Sequence, residues 1–131
     1  MYSTREKIRD EAGFTNNPNI TQTRVEEQQS IAYSEVHSIV STLYDTTQFV
    51  DNNVKFKNST AQSYLESCER LLAASYLLMK QYEVNSMGGT LEQARNLRDE
   101  ANAKLNKIAS GTARLFDTKG KEFRRIGQAV S

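Results

Sequence analysis

A single cysteine, Cys68, leaves no partner for an internal disulfide and removes the paired Cys/His spacings of a structural zinc site. Histidine also occurs once, at His37, so acid–base chemistry at neutral pH has one ordinary candidate. Proline occurs once and tryptophan not at all, while glutamine, asparagine, serine and threonine are plentiful outside the apolar positions. That balance suits long helices joined by polar turns. No run approaches the roughly 20 apolar residues of a membrane span, and no apolar segment follows the charges of the N-terminal Met-Tyr-Ser-Thr-Arg-Glu-Lys. A soluble protein made in the cytoplasm, without membrane contact, is expected. Net charge is only +1, which argues against strong attraction of the whole molecule to nucleic acid. Apolar residues make up 37% of the chain, so the core is expected to be thin and the surface polar.

What is present is a series of helical periods. At 131 residues the chain has room for one ordinary domain. Ser3 and Glu6 stand at capping-box spacing and Gly13 follows as a left-handed stop, predicting a first helix over 4–12. Thr15-Asn16-Asn17-Pro18-Asn19 reads as a loop. Thr23 and Glu26 repeat the capping spacing ahead of Val25, Ala32, Val36, Ile39 and Leu43, a second helix over 24–44. Between Asp45 and Ser59 the period fails, and Asp51-Asn52-Asn53 suggests the reversal of a short hairpin or ordered loop. Ser59 and Gln62 open a third helix over 60–83, whose face carries Leu65, Cys68, Leu72, Tyr76 and Met79; it is the most apolar and is expected at the centre. After a break at Met87-Gly88-Gly89, Thr90 and Gln93 open a fourth, with Leu91, Ala94, Leu97, Ala101, Leu105 and Ile108 in one stripe that ends at Gly111.

The fold class that follows is mainly α, a small bundle of about four helices. The bundle is expected over 1–111, with 112–131 as a C-terminal hairpin and basic tail. In that tail Asp117-Thr118-Lys119-Gly120 forms the predicted turn, with Gly120 supplying the positive φ. From Lys104 to Ser131 seven Lys or Arg face only Asp117 and Glu122. Phe116, Lys119, Lys121, Phe123, Arg124, Arg125 and Ile126 mix charge with apolar anchors in the manner of a binding segment, and too few apolar residues surround them for a core of their own. They are the expected partner-binding residues, ordered on assembly.

No catalytic, cofactor or metal site is expected. Tyr33, Ser34, Val40 and Ser41, the helical neighbours of His37, include no carboxylate. Cys68 lies in an apolar stripe, where a free cysteine serves as a small hydrophobe. Glu26-Glu27 and Asp99-Glu100 occupy predicted solvent faces without the further ligands a metal needs. Gly88-Gly89 lacks the remainder of a phosphate-binding loop and reads as a helix–helix turn. Tyr33, Tyr44, Tyr64, Tyr76 and Tyr82 fall on helices or their ends, where a ring suits a core edge or an interface.

The order of elements resembles a known family. A short helix ending in Ala12-Gly13-Phe14 is followed by a long one with Val36-x-x-Ile39-x-x-x-Leu43-Tyr44 and an irregular segment. Then come Leu71-Leu72-Ala73-Ala74-Ser75-Tyr76-Leu77-Leu78 and Ala101-x-x-x-Leu105-x-x-Ile108-x-x-Gly111-x-x-x-Leu115-x-Asp117. Across nearly the whole chain this layout is similar to the head–tail connector, or adaptor and head-completion, proteins of tailed bacteriophages. The resemblance implies a virion neck protein, assembled in the host cytoplasm. Its subunits, commonly twelve, would form a ring below the portal, meet a tail-proximal neck or stopper protein, and let double-stranded DNA pass without reading its sequence. The competing expectation is a small helical DNA-binding or regulatory protein using the basic C-terminal region. Against it stand the near-zero net charge and the lack of a basic recognition helix.

Overall fold

The computed structural model describes residues 1–50, 52–85 and 88–127. Among them are four helices: α1 (Arg5–Glu11), α2 (Gln22–Ser41), α3 (Thr60–Asn85) and α4 (Gly88–Ala109), with one 3-10 turn at Thr46–Gln48. The chain is therefore a mainly α small bundle, and no described helix is long and apolar enough to cross a membrane.

Local chemistry sets the helix ends, although not always through the residues the spacing suggests. Thr4, and not Ser3, caps α1, its hydroxyl accepting from the Lys7 amide at 3.3 Å. Ser3 instead donates its hydroxyl to Glu66 on α3 at 2.8 Å, so a tertiary partner has taken the side chain that the capping box would use. At the other end Gly13 adopts φ 80°, and the amides of Gly13 and Phe14 return to the carbonyls of Asp10 and Arg9, closing α1 with a Schellman turn. For α2 the cap is Thr21, two residues before the expected Thr23, accepting from Arg24 at 3.2 Å. Ser59 caps α3 as predicted, accepting from Gln62 at 3.0 Å, but Gln62 reaches back to the amide of Asn58. The predicted break at Met87-Gly88-Gly89 is narrower than expected. Gly88, Gly89 and Thr90 already belong to α4, so Thr90 is not its cap, and Ser86 and Met87 lie outside the described residues.

α3 is central, as its composition predicts. From Leu71 to Leu78 every residue except Tyr76 is buried, the pattern of a helix covered on all sides. Its small Ala73, Ala74 and Ser75 let neighbours come close, and the Ser75 hydroxyl donates to the Ala94 carbonyl on α4 at 2.8 Å. Tyr64, near the start of α3, donates to the carbonyl of Lys104 near the end of α4 at 2.9 Å, so the two helices run antiparallel. The predicted α4 stripe faces this seam: Ala94, Ala101, Leu105 and Ile108 are buried, with Leu91 and Leu97 at its edge. On α2, Val25, Ala32, Val36 and Val40 are buried, whereas Ile39, and Leu43 in the turn beyond the helix, are only partly so.

Residues 112–127 correct the expectation of a segment separate from the bundle. Leu115 and Phe123 are core residues, 0% and 4% exposed. The segment reverses about Asp117–Gly120, with Gly120 at φ 82° and one antiparallel bridge between Phe116 and Glu122. The other predicted hairpin turns on Asp51, which lies outside the described residues. Up to it the chain makes the 3-10 turn, and beyond it a run of turns through 58.

Candidate assembly surface

Five aromatic rings tie the loops to one end of the bundle. Phe123 lies edge-on to Phe49 with centroids 4.9 Å apart, Phe49 is 5.3 Å from Phe56, and Phe49 is 6.2 Å from Tyr44. Tyr2 joins from the N-terminal segment at 6.2 Å from Phe56. Backbone bonds thread the same elements together. Asp45 donates to Arg124, Ile126 to Leu43, Thr118 to Lys55 and Ala61 to Phe116, at 3.0 to 3.2 Å. Because aromatic pairs add roughly 0.5–1.5 kcal/mol each beyond the area they bury, this cluster is a substantial staple.

The seven expected partner-binding residues are thereby divided. Phe123 serves this chain's own core and Phe116 is half-buried, its carbonyl accepting from Ala61. Arg124 pairs with Asp45 at 2.5 Å, and the Thr47 hydroxyl together with that guanidinium holds the Asp45 carboxyl down at about 2. Arg125 pairs with Glu122 at 3.1 Å and covers the Tyr44 ring. Lys119, Lys121 and Ile126 remain exposed, Ile126 to 59%. To these the fold adds residues that sequence reasoning passed over, Val50 at 46% and Val54 at 83% exposure, with Lys55 and Lys57 beside Val54. The result is an apolar and basic surface carried on a packed base. The signal available in the sequence was Val54 followed by two lysines in a segment with no helical period to bury it.

A second feature, also missed, is a buried carboxylate. Glu69 on α3 is 0% exposed and accepts from the Tyr2 amide at 3.1 Å, the Ser3 amide at 2.7 Å and the Gln29 side chain at 3.1 Å. Burial raises its pKa against the lowering effect of those donors. One turn away Glu66 accepts from Ser3 and from Arg70, and Arg70 reaches on to Glu11 at 3.0 Å. These groups fasten the N-terminal segment and α1 to α3. An acid three residues before Leu72 and four after Leu65, inside an apolar stripe, was the legible sign.

His37 lies beside this segment, its Nδ1 3.0 Å from the Tyr2 hydroxyl and its ring stacked on Tyr33. A 570 Å³ surface cleft opens nearby, lined by Tyr2, Ser3, Lys7, Lys57 and Glu66 among others. No group of three or more His, Cys, Asp or Glu side chains that could hold a metal ion occurs among the described residues. Cys68 is fully buried and burial pushes its thiol up to about 12. A thiol reagent such as DTNB is therefore expected to label the native protein at least roughly a hundredfold more slowly than the urea-unfolded chain. Labelling at equal rates would place Cys68 outside the core. No protein-family model, curated protein or solved structure matches this chain.

Proposed function

We propose that this protein is a structural adaptor of a phage neck, a non-enzymatic subunit that assembles into a ring of about twelve, joining the portal of the filled capsid to a tail-proximal stopper and continuing the DNA channel. The observation that carries this reading is the loop-end surface, where Val54 at 83% exposure is followed by the exposed Lys55 and Lys57 on a base fastened by the aromatic staple. Apolar side chains held in place before binding lose little entropy on docking, and a basic rim sets encounter and register. A net charge of +1 suits a conduit along which a duplex slides, since many uncompensated phosphate contacts would hold it. The rival DNA-binding reading loses two of its cations, because Arg124 and Arg125 already pair with Asp45 and Glu122.

Negative-stain electron microscopy and light scattering of the purified protein, alone and mixed with a phage portal ring, test the proposal. Closed rings, or a stoichiometric complex with the portal, are expected. A monomer or dimer that ignores the portal and binds duplex DNA tightly, with affinity falling steeply in salt, would instead establish the regulator.

A further inference from the structure

We propose that copies of this chain associate head to tail, the outer stripe of α2 around Ile31 in one protomer seating on the Val54 loop of the next. This deepens the adaptor reading and rests on it, by naming the surfaces through which subunits meet.

Ile31 is 48% exposed, and one turn to either side of it stand the exposed carboxylates Glu27 and Glu35. Glu35 is held in place by the Tyr76 hydroxyl at 2.6 Å. The loop end carries an exposed apolar side chain with charge of the opposite sign. Val54 is 83% exposed, the exposed Lys55 and Lys57 follow it, and the turn bearing Lys119 and Lys121 is tied to it through Thr118, whose amide donates to Lys55 at 3.0 Å and whose hydroxyl donates to Val54 at 3.3 Å. An apolar side chain between two acids thus meets its complement, an apolar side chain on a loop end that carries four exposed lysines. The opposite pairings are disfavoured: two α2 stripes would bring four carboxylates together, and two loops would bring their lysines together.

The two patches also face different ways. At 100° per residue, Ile31 lies roughly 200° around α2 from Tyr33. The Tyr33 flank is covered by Tyr2, whose ring is 5.3 Å from Tyr33 and 6.2 Å from Phe56, two residues beyond Val54. The loop therefore sits on the flank of α2 away from the stripe. A contact between unlike surfaces on opposite flanks propagates, closing into a ring where the rotation permits.

Light scattering on wild-type protein, Ile31→Asp, Val54→Asp and their equimolar mixture tests the contact. The wild type is expected to exceed a dimer and to weaken as salt rises. Each variant is expected to associate roughly tenfold or more weakly while melting like the wild type, because both positions are exposed. The mixture has one intact stripe and one intact loop between its two chains, so it is expected to form a one-to-one dimer and stop there. Either variant assembling like the wild type, or a mixture that stays monomeric, overturns the proposal. A wild-type chain that remains monomeric yet binds a portal ring also overturns this contact and leaves the adaptor reading standing. Head-to-tail assembly with no affinity for a portal would do the reverse.

Discussion

A chain ending at Gly111 is expected to lose its cooperative thermal transition, although all four described helices remain in it. The deletion removes Leu115 and Phe123, which are 0% and 4% exposed, and uncovers Tyr44, Phe49 and Phe56. Truncating one such core side chain costs about 2–5 kcal/mol for leucine and about 3–5 kcal/mol for phenylalanine. Together these approach the roughly 5–15 kcal/mol that holds a typical domain folded. The deletion also leaves the Tyr44 hydroxyl without the Leu115 amide that donates to it, and Asp45 without Arg124. Phe123→Ala in the full chain isolates the largest part, with an expected loss of about 3–5 kcal/mol in urea unfolding. Circular dichroism melts of both proteins decide the matter. A shortened chain melting sharply, within a few degrees of the full one, would mean that the aromatic staple is peripheral to the fold.

That expectation reverses the one the sequence suggests, and the reason lies in distance along the chain. The helices were legible because their information is local: Val25, Ala32 and Val36, or Ala94, Ala101 and Leu105, declare a buried face within a few turns. Caps were legible only to within two residues. Ser3 and Thr4 are both good caps, as are Thr21 and Thr23, and what separates the first pair is Glu66, sixty-three residues away, which claims Ser3. The C-terminal segment offers no period at all. Phe123 reads as an anchor for another protein until Phe49 and Phe56 are seen beside it, and no spacing in the sequence joins those three. The exposed half of the candidate surface follows from the same cause, since Val50, Val54 and Ile126 show themselves as outward-facing only once the aromatic residues between them have turned inward. Glu69 presents the opposite problem. A carboxylate on a helix is ordinarily solvated, and only the backbone amides of Tyr2 and Ser3 explain one at 0% exposure.

Replacing Glu69 is expected to be as costly as any single core substitution. In Glu69→Ala the buried amides of Tyr2 and Ser3 lose their acceptor, Gln29 keeps only its bond to the Ser3 carbonyl, and a cavity opens on α3. Each buried donor left unpaired costs about 1–3 kcal/mol, so a total loss of roughly 3–5 kcal/mol is expected, with the N-terminal segment released from the Tyr33 and His37 rings. The pH dependence separates this role from simple packing. Burial raises the folded-state pKa of Glu69 above its ordinary 4.5, so between those two values the folded chain binds more protons than the unfolded one. Stability contributed by this group therefore falls as pH rises through that window, and is greatest below 4.5. Glu69→Gln keeps one acceptor oxygen and cannot titrate. Urea midpoints measured from pH 4.5 toward neutrality are expected to show the wild type losing its advantage over Glu69→Gln as pH climbs, the contributions of the other carboxylates cancelling in the difference. Parallel curves for the two proteins would show that Glu69 ionises in the folded chain as it does in the unfolded one, and that its amide partners offset the whole of its burial.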